Sequence, residues 1–217
     1  MSAAERSAGT GRLLGSLTWV VLLLGLWLWG RGMTDGASAP ASGDVAAVGP
    51  QGTPLPPPHD PLAPVRPDRV EIPAIGVRAP VVPRGLDASG AVDPPPYAMP
   101  DTVGWYDRGT QPGAPGAALL VGHVDTATEP AVFYSLSTAR PGQKIRVTRA
   151  DGSVAEFTID DIQVFGRDGF DPHKVYGPRE DGRAELRLIT CGGTFDRATG
   201  TYDANVVVSA YLTAASP

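Results

Sequence analysis

The chain has a single cysteine, and its position makes it a candidate nucleophile. Cys191 directly follows residues 186–190, an apolar run with the composition of a buried strand. A side chain at the end of a strand is held by a rigid sheet and can still reach a cleft. A thiol becomes a useful nucleophile only when a neighbouring base or cation favours the thiolate. Cys191 therefore needs a partner.

His123 is the histidine whose position meets this requirement. It follows a second apolar run, residues 117–121, after a single glycine. His59, in contrast, lies in a proline-rich stretch and is predicted to be a solvated residue. Glycines follow Cys191 and precede His123, and we expect them to open space for a backbone or a substrate to approach. The sequence therefore predicts that His123 acts as the base for Cys191.

Composition and charge exclude several other functions. The chain carries a formal net charge of −5, which argues against nucleic acid as a partner. One cysteine and three histidines supply few ligands for zinc or haem, so we expect no metal site and no cofactor. The 27 glycines and 23 prolines leave few long uninterrupted stretches, which disfavours a helix-rich fold.

The first segment of the chain is predicted to be a membrane anchor. Residues 1–12 are small and polar, and we expect them to lie in the cytoplasm. Residues 13–30 carry no charge and would form a helix of about 27 Å, close to the thickness of the hydrocarbon layer. Trp27 and Trp29 lie near its end, where indole rings favour the membrane interface. A cleaved signal peptide is the alternative, because residues 37–39 (ASA) resemble a cleavage site.

Residues 31–68 separate this segment from the rest of the chain. They are rich in glycine and alanine at first and in proline later. Because proline favours polyproline II and opposes a packed core, we expect a semi-stiff spacer. The domain that follows is exported in either case. It is held outside the cell membrane by a single span, or it is secreted if the first segment is cleaved.

Residues 69–217 have the pattern of a β domain. Alternating side chains on both sides of the Asp-Gly turn at 151–152 indicate a hairpin. Eight short strands with little helix indicate a closed barrel or a sandwich. One short helix is predicted over residues 130–139. The predicted strands are 70–72, 78–82, 117–121, 144–149, 154–160, 162–165, 186–190 and 205–213.

Taken in chain order, these motifs resemble the sortases, the cysteine transpeptidases of Gram-positive surfaces. Residues 70–77 (VEIPAIGV) resemble the opening strand of that family, and residues 119–126 (LLVGHVDT) resemble the segment with its catalytic histidine. Residues 188–191 (LITC) match its L-x-T-C signature. The resemblance covers roughly residues 69–213. The continuation at 191–196 (CGGTFD) is most similar to the class F sortases of actinobacteria.

The resemblance implies an eight-stranded sortase-type β-barrel with short helices and loops, and it implies a reaction. The Cys191 thiolate would attack the Thr–Gly bond of an LPXTG-type sorting signal on a surface protein. His123 would protonate the leaving amine and then deprotonate the incoming one. That amine would come from a cell-wall precursor. The enzyme would be bound to the membrane through its N-terminal helix.

The sequence departs from the family pattern at one position. Sortases commonly place an arginine about a dozen residues after the cysteine, and residues 202–206 (YDANV) contain none. Arg197, the one arginine after Cys191, is therefore assigned the role of holding the substrate or steadying the oxyanion. Asn205 is the alternative donor. Arg187 shares the strand parity of Cys191, but it lies about 13 Å away along the strand.

Two other functions remain open at this point. A secreted cysteine peptidase would form the same acyl-enzyme and release it to water. Papain-like peptidases, however, place the cysteine before the histidine, and here His123 comes first. A non-catalytic surface β domain is the second alternative, in which Cys191 is a small core residue. Accessibility of the thiol separates this last interpretation from the other two.

Overall fold

The computed structural model describes residues 54–88, 90–166, 171 and 175–217. The strands are β1 (Pro67–Ile72), β2 (Val77–Arg84), β3 (Val103–Tyr106), β4 (Gly116–Val121), β5 (Lys144–Arg149), β6 (Val154–Gly166), β7 (Ala184–Asp196) and β8 (Thr201–Ser216). They close into a barrel in the order β1-β2-β3-β4-β7-β8-β6-β5, so the all-β, eight-stranded barrel expected from the sequence is confirmed. Two short 3-10 helices, Pro73–Ile75 and Leu136–Thr138, lie in its connections.

The expected membrane anchor at residues 13–30 lies outside the described residues. Within residues 54–217, leaving aside 89, 167–170 and 172–174, no helix is long and apolar enough to cross a membrane.

Most predicted strands have counterparts in the barrel, with two differences. Residues 154–160 and 162–165 form one strand, β6, whose register with β8 shifts between Ile159 and Asp161. The sequence did not predict β3. Its four residues, VGWY, are almost entirely buried, so they show no alternation of polar and apolar side chains.

The predicted helix over residues 130–139 is wrong. This segment forms turns and the 3-10 helix Leu136–Thr138. Its backbone donors bond to other parts of the chain instead, Val132 N to Pro100 O (2.8 Å) and Phe133 N to His123 O (3.0 Å). Phe133 and Leu136 are buried in the main core, as their apolar pattern suggested.

Strands β4, β7 and β8 are buried on both faces. Inward side chains such as Leu120, Leu186 and Val208 belong to the main core inside the barrel. Outward side chains pack under the connections in a second apolar cluster, which consists of Val92, Leu119, Val121, Val175, Ile189 and Val207. Burial on both faces is typical of parallel neighbours such as β4 and β7, and it explains why these strands read as continuous apolar runs.

The last part of the expected spacer lies against the barrel. His59 N donates to Leu212 O (2.9 Å), and Leu62 N donates to Gly113 O (2.7 Å). The Tyr211 hydroxyl donates to Pro56 O at 2.6 Å. Leu62 is half-buried against the main core. The folded unit therefore begins before residue 69, although the ring of His59 stays exposed as expected.

We predict that a chain beginning at residue 69 folds cooperatively but is less stable than one beginning at residue 54. The shorter chain loses the first residues of β1, the three hydrogen bonds above and the packing of Leu62. A net hydrogen bond contributes about 0.5–1.5 kcal/mol, so the free energy of unfolding should fall by about 2–5 kcal/mol. Urea denaturation of the two chains measures this difference. Equal midpoints would show that residues 54–68 contribute nothing to the stability of the fold.

Candidate active site

The parallel register of β4 and β7 places His123 and Cys191 side by side. Val121 pairs with Ile189 in this register. Gly122 N then donates to Ile189 O at 3.1 Å, which continues the ladder past the end of β4. Two residues beyond the last pair, the two chains reach His123 and Cys191. The structure therefore brings the predicted base and nucleophile together at one end of the barrel wall.

The two side chains differ in accessibility. Cys191 is exposed, whereas His123 is only 8% exposed. An exposed thiol contradicts the interpretation of Cys191 as a core residue. The buried imidazole is fixed in place, and the sulfur can meet a substrate.

The glycines beside these residues serve packing rather than substrate access. A Cβ at Gly122 would lie 2.7 Å from atoms of both Val132 and Phe133. A Cβ at Gly192 would lie 2.6 Å from Val206 Cγ2. Only glycine allows these close approaches, so the space that Gly122 and Gly192 open is occupied by neighbouring parts of the chain.

Gly193 makes a bend directly after the nucleophile. Its φ of +80° lies in the left-handed region. The register of β7 with β8 shifts between Gly192 and Phe195, which marks a β-bulge. Thr194 N donates to Asp203 Oδ1 at 2.7 Å and holds the bend. Because a bulge bends its strand, the β7–β8 hairpin bends directly beyond Cys191.

The hydrogen bonds of His123 determine which ring nitrogen can exchange a proton. His123 Nε2 lies 2.7 Å from Pro95 O. A carbonyl oxygen can only accept, so Nε2 carries the hydrogen and Nδ1 is the atom that gains and loses a proton. The ring of Tyr97 stacks on the imidazole, with centroids 4.2 Å apart and an interplanar angle of 19°. Together these contacts fix the position and the tautomer of His123.

Cys191 and His123 line a cleft of about 980 Å³. Its carboxylates are Asp125 and Glu129. Of the residues that the structure describes, no lysine or arginine lines it. Nor do three His, Cys, Asp or Glu side chains gather closely enough to hold a metal ion anywhere in the described part of the chain. The full lining is Tyr97, Ala98, His123, Val124, Asp125, Thr126, Ala127, Thr128, Glu129, Cys191, Phe195, Gly200, Thr201 and Tyr202.

A hydrogen bond that the sequence did not predict crosses this cleft. The Tyr202 hydroxyl donates to Asp125 Oδ2 at 2.5 Å. This bond raises the pKa of Tyr202 to about 12, and burial and the charges of Asp125 and Cys191 act in the same direction. The phenol therefore stays protonated at neutral pH and cannot serve as a base. Phe195 packs against its ring, with centroids 5.0 Å apart.

The two candidate oxyanion donors occupy different positions. Asn205 pairs directly with Cys191 in the antiparallel β7–β8 ladder. Directly opposed side chains share one face, with Cβ atoms about 5 Å apart. Arg197 lies in the exposed turn between β7 and β8 and is not part of the cleft lining. The structure thus brings Asn205 to the nucleophile, and it places Arg197 at the tip of the adjoining hairpin.

Arg187 is already engaged elsewhere. Its side chain is 1% exposed. The guanidinium forms an ion pair with Glu185 at 2.5 Å and donates to Gly177 O at 3.0 Å. It shares the face of Cys191, as its parity predicted, but these contacts hold it away from the cleft.

An exposed cysteine beside a buried, oriented histidine in an open cleft defines an enzyme of cysteine-dependent acyl transfer. A family model described as the sortase domain matches residues 70–213. This match covers well over half of the chain, and the chain belongs to the sortase family of cysteine transpeptidases. Sortases act on sorting-signal substrates and cell-wall amines, which is the reaction class that the sequence motifs implied.

Solved structures of sortases share the fold. A lid mutant of sortase A from Corynebacterium diphtheriae matches with a TM-score of 0.51 and 20% identity over 69% of this chain and 70% of that one. Sortase C1 of Streptococcus agalactiae, in complex with MTSET, matches with a TM-score of 0.52 and 19% identity over 68% and 69%. No curated protein matches the chain.

We predict that Cys191→Ala abolishes cleavage of an LPXTG-type peptide and leaves the fold nearly as stable. The side chain is exposed, so the free energy of unfolding should change by about 1 kcal/mol or less. Peptide cleavage and thermal denaturation measure the two effects. As a further check, the native thiol should react with a maleimide without denaturant. Residual turnover in the variant would remove the nucleophile assignment.

Proposed function

We propose that this chain is a class F sortase, anchored in the cell membrane, that attaches surface proteins to an amine of the cell wall. The observation that carries the proposal is the exposed Cys191 next to the oriented His123 in an open cleft. The CGGTFD sequence at 191–196 supports class F. The apolar segment at 13–30 supports the anchor and an extracellular catalytic domain.

The first half-reaction forms a thioester. The Cys191 thiolate attacks the carbonyl carbon of threonine in an LPXTG-type sorting signal. The C–N bond to glycine then breaks, and Nδ1 of His123 gives its proton to the leaving amine. Pro95 O keeps hold of Nε2 throughout, so the ring need not reorient during this transfer.

The second half-reaction transfers the acyl group to an amine. The acceptor nitrogen attacks the thioester carbonyl, its proton passes to Nδ1 of His123, and the sulfur leaves as a thiolate. A cysteine peptidase would differ only here, by using water as the acceptor. The family membership favours an amine, and an open cleft gives it access.

We predict that the enzyme joins an LPXTG-type peptide to an added primary amine. Incubation of both with residues 54–217 should give an amide product, which mass spectrometry identifies. Cys191→Ala, as a matched control, should give neither amide nor hydrolysed peptide. If wild-type protein releases only the hydrolysed peptide at saturating amine, the peptidase assignment is correct and the proposed transfer is not.

Oxyanion stabilisation is assigned to Arg197, with Asn205 as the competing donor. Asp196 shapes the turn that carries Arg197, because its carboxylate accepts from Ala198 N (2.8 Å) and from Thr199 Oγ1 (2.9 Å). The Arg197 guanidinium makes no ion pair with any other described residue, so it is available to a substrate. The next residues of the same turn, from Gly200 onward, line the cleft.

We predict that Arg197→Ala lowers kcat/KM by at least about 10²-fold, the scale of losing one oxyanion donor. Arg197→Lys keeps the charge but loses the planar fork of donors, so it should restore activity only in part. Asn205→Ala is the matched comparison under the same conditions. Near-normal turnover in Arg197→Ala together with a collapse in Asn205→Ala would move the role to Asn205.

A further inference from the structure

The charge of the cleft suits a cation. Asp125 and Glu129 are its carboxylates, and no described lysine or arginine lines it to offset them. The acceptor of the proposed reaction is a primary amine. Such amines are protonated at neutral pH, with pKa values of about 8 for a peptide terminus and about 10.4 for a lysine side chain. The acceptor therefore arrives as an ammonium ion at a negatively charged cleft.

The chemistry of the two half-reactions determines on which side of Cys191 the acceptor must bind. His123 protonates the leaving amine in the first half-reaction and deprotonates the incoming amine in the second. The two nitrogens must therefore occupy the same place, within reach of Nδ1 of His123. Asp125 follows His123 by two residues and lines the same cleft. It is a carboxylate close to His123 in sequence, in the cleft through which the acceptor must reach the thioester.

Asp125 is held rigidly for such a role. It forms an antiparallel bridge with Pro130. The turn between them is stabilised by Thr126 Oγ1, which accepts from Thr128 N (3.3 Å) and Glu129 N (3.1 Å). From the opposite wall, the Tyr202 hydroxyl donates to Oδ2.

The hydrogen bond between Tyr202 and Asp125 leaves acceptor atoms for a ligand. The Tyr202 hydroxyl bonds to Oδ2, and an ionised carboxylate offers about four lone-pair positions on its two oxygens, so Asp125 keeps acceptor positions for a ligand. The Tyr202 oxygen has used its only hydrogen in donating to Asp125, but it can still accept one. An ammonium group has three N–H donors. Its aliphatic stem would lie near Phe195, which packs on the Tyr202 ring.

We infer that Asp125, held by Tyr202, binds the ammonium group of the acyl acceptor and makes the enzyme select protonated primary amines. This inference rests on the proposed transpeptidase function. The bound ammonium loses one proton to solvent to become the attacking amine. The new C–N bond forms as the C–S bond breaks, the second proton passes to Nδ1 of His123, and Cys191 leaves as a thiolate.

The role of Asp125 predicts an effect on KM rather than on kcat. A carboxylate beside the ammonium strengthens binding, but it also favours the protonated form, which cannot attack. Loss of the charge should therefore raise the KM for the acceptor and leave kcat equal or higher. Asp125→Asn suits this test, because the amide oxygen of asparagine can still accept from the Tyr202 hydroxyl. The hydrogen bond from Tyr202 then remains, and only the negative charge of residue 125 is lost.

The experiment compares three acceptors with the donor peptide saturating. Triglycine supplies a peptide α-ammonium, Nα-acetyl-lysine amide supplies a side-chain ammonium, and hydroxylamine is uncharged at neutral pH. In Asp125→Asn, the KM for both ammonium acceptors should rise at least about tenfold relative to the KM for hydroxylamine, as expected for loss of one charge-assisted hydrogen bond. Glu129→Gln is the matched control, because it removes the same charge from the same turn. It should change this ratio less than about twofold.

The possible outcomes separate the explanations. An equal rise in KM for all three acceptors would show that Asp125 only positions the turn, and unchanged KM values for all three would show that it does not bind the acceptor. An equal change in Glu129→Gln would assign the effect to the overall charge of the cleft. Each of these results overturns the inference. Failure of wild-type protein to form product with any acceptor would instead overturn the proposed function, and the inference with it.

Discussion

The active site depends on one structural constraint, the parallel register between β4 and β7. His123 lies two residues beyond the end of β4, and Cys191 lies in β7. A shift of one residue between these strands would therefore turn the two side chains to opposite faces. The register is held where Val121 pairs with Ile189 and where Gly122 N bonds to Ile189 O. Closure of the barrel removes free edges, so neither strand can slide without breaking pairs on its other side. The closed barrel thus fixes the register of β4 and β7, and with it the relative position of His123 and Cys191.

A buried ion network on the outer face of β7 opposes the same slip. Arg187 and Glu185 are 1% and 0% exposed, and Arg183 adds a contact to Glu185 at 2.9 Å. Burial raises the pKa of Glu185, but hydrogen bonds from Arg179 N and the Arg187 side chain, together with the charges of Arg187 and Arg183, lower it overall. The carboxylate therefore stays ionised at neutral pH. Breaking such a pair typically costs about 3–5 kcal/mol, because it leaves an unpaired buried charge. Arg187 therefore helps to fix the strand that carries Cys191.

The sequence predicts most of the barrel and the two central residues of the site, because both rest on local patterns. Strands such as β5 alternate or follow clear turns, and Cys191 and His123 stand at the ends of apolar runs. The failures have two physical origins, which are hydrogen bonds to other parts of the chain and the lack of a local pattern. Backbone bonds from residues 132 and 133 to remote carbonyls replace the expected helix, and β3 is too short and too buried to show a pattern.

The hydrogen bond between Tyr202 and Asp125 was not predicted because it joins distant parts of the chain. Asp125 and Tyr202 lie 77 residues apart, and no spacing rule pairs an aspartate with a tyrosine at that distance. The one signal available was proximity in sequence, because Asp125 follows His123 by two residues. The glycines beside the reactive residues could likewise be noticed but not interpreted. Their close neighbours, Val132 and Val206, reach them only in the folded chain.

Because the cleft is open, water can compete with the acyl acceptor in the proposed reaction. The exposed Cys191 is accessible to a large peptide, but the thioester of the proposed reaction would be equally accessible to water. Water is present at far higher concentration than any acceptor, so transfer prevails only if the acceptor is held next to the thioester and correctly oriented. Binding energy for the acceptor must then come from groups near His123 that do not take part in forming the thioester. A carboxylate fixed by the Tyr202 hydroxyl, two residues beyond the base, meets both conditions. In the proposed reaction, the barrel wall that aligns Cys191 with His123 would therefore also determine which acceptor can compete with solvent.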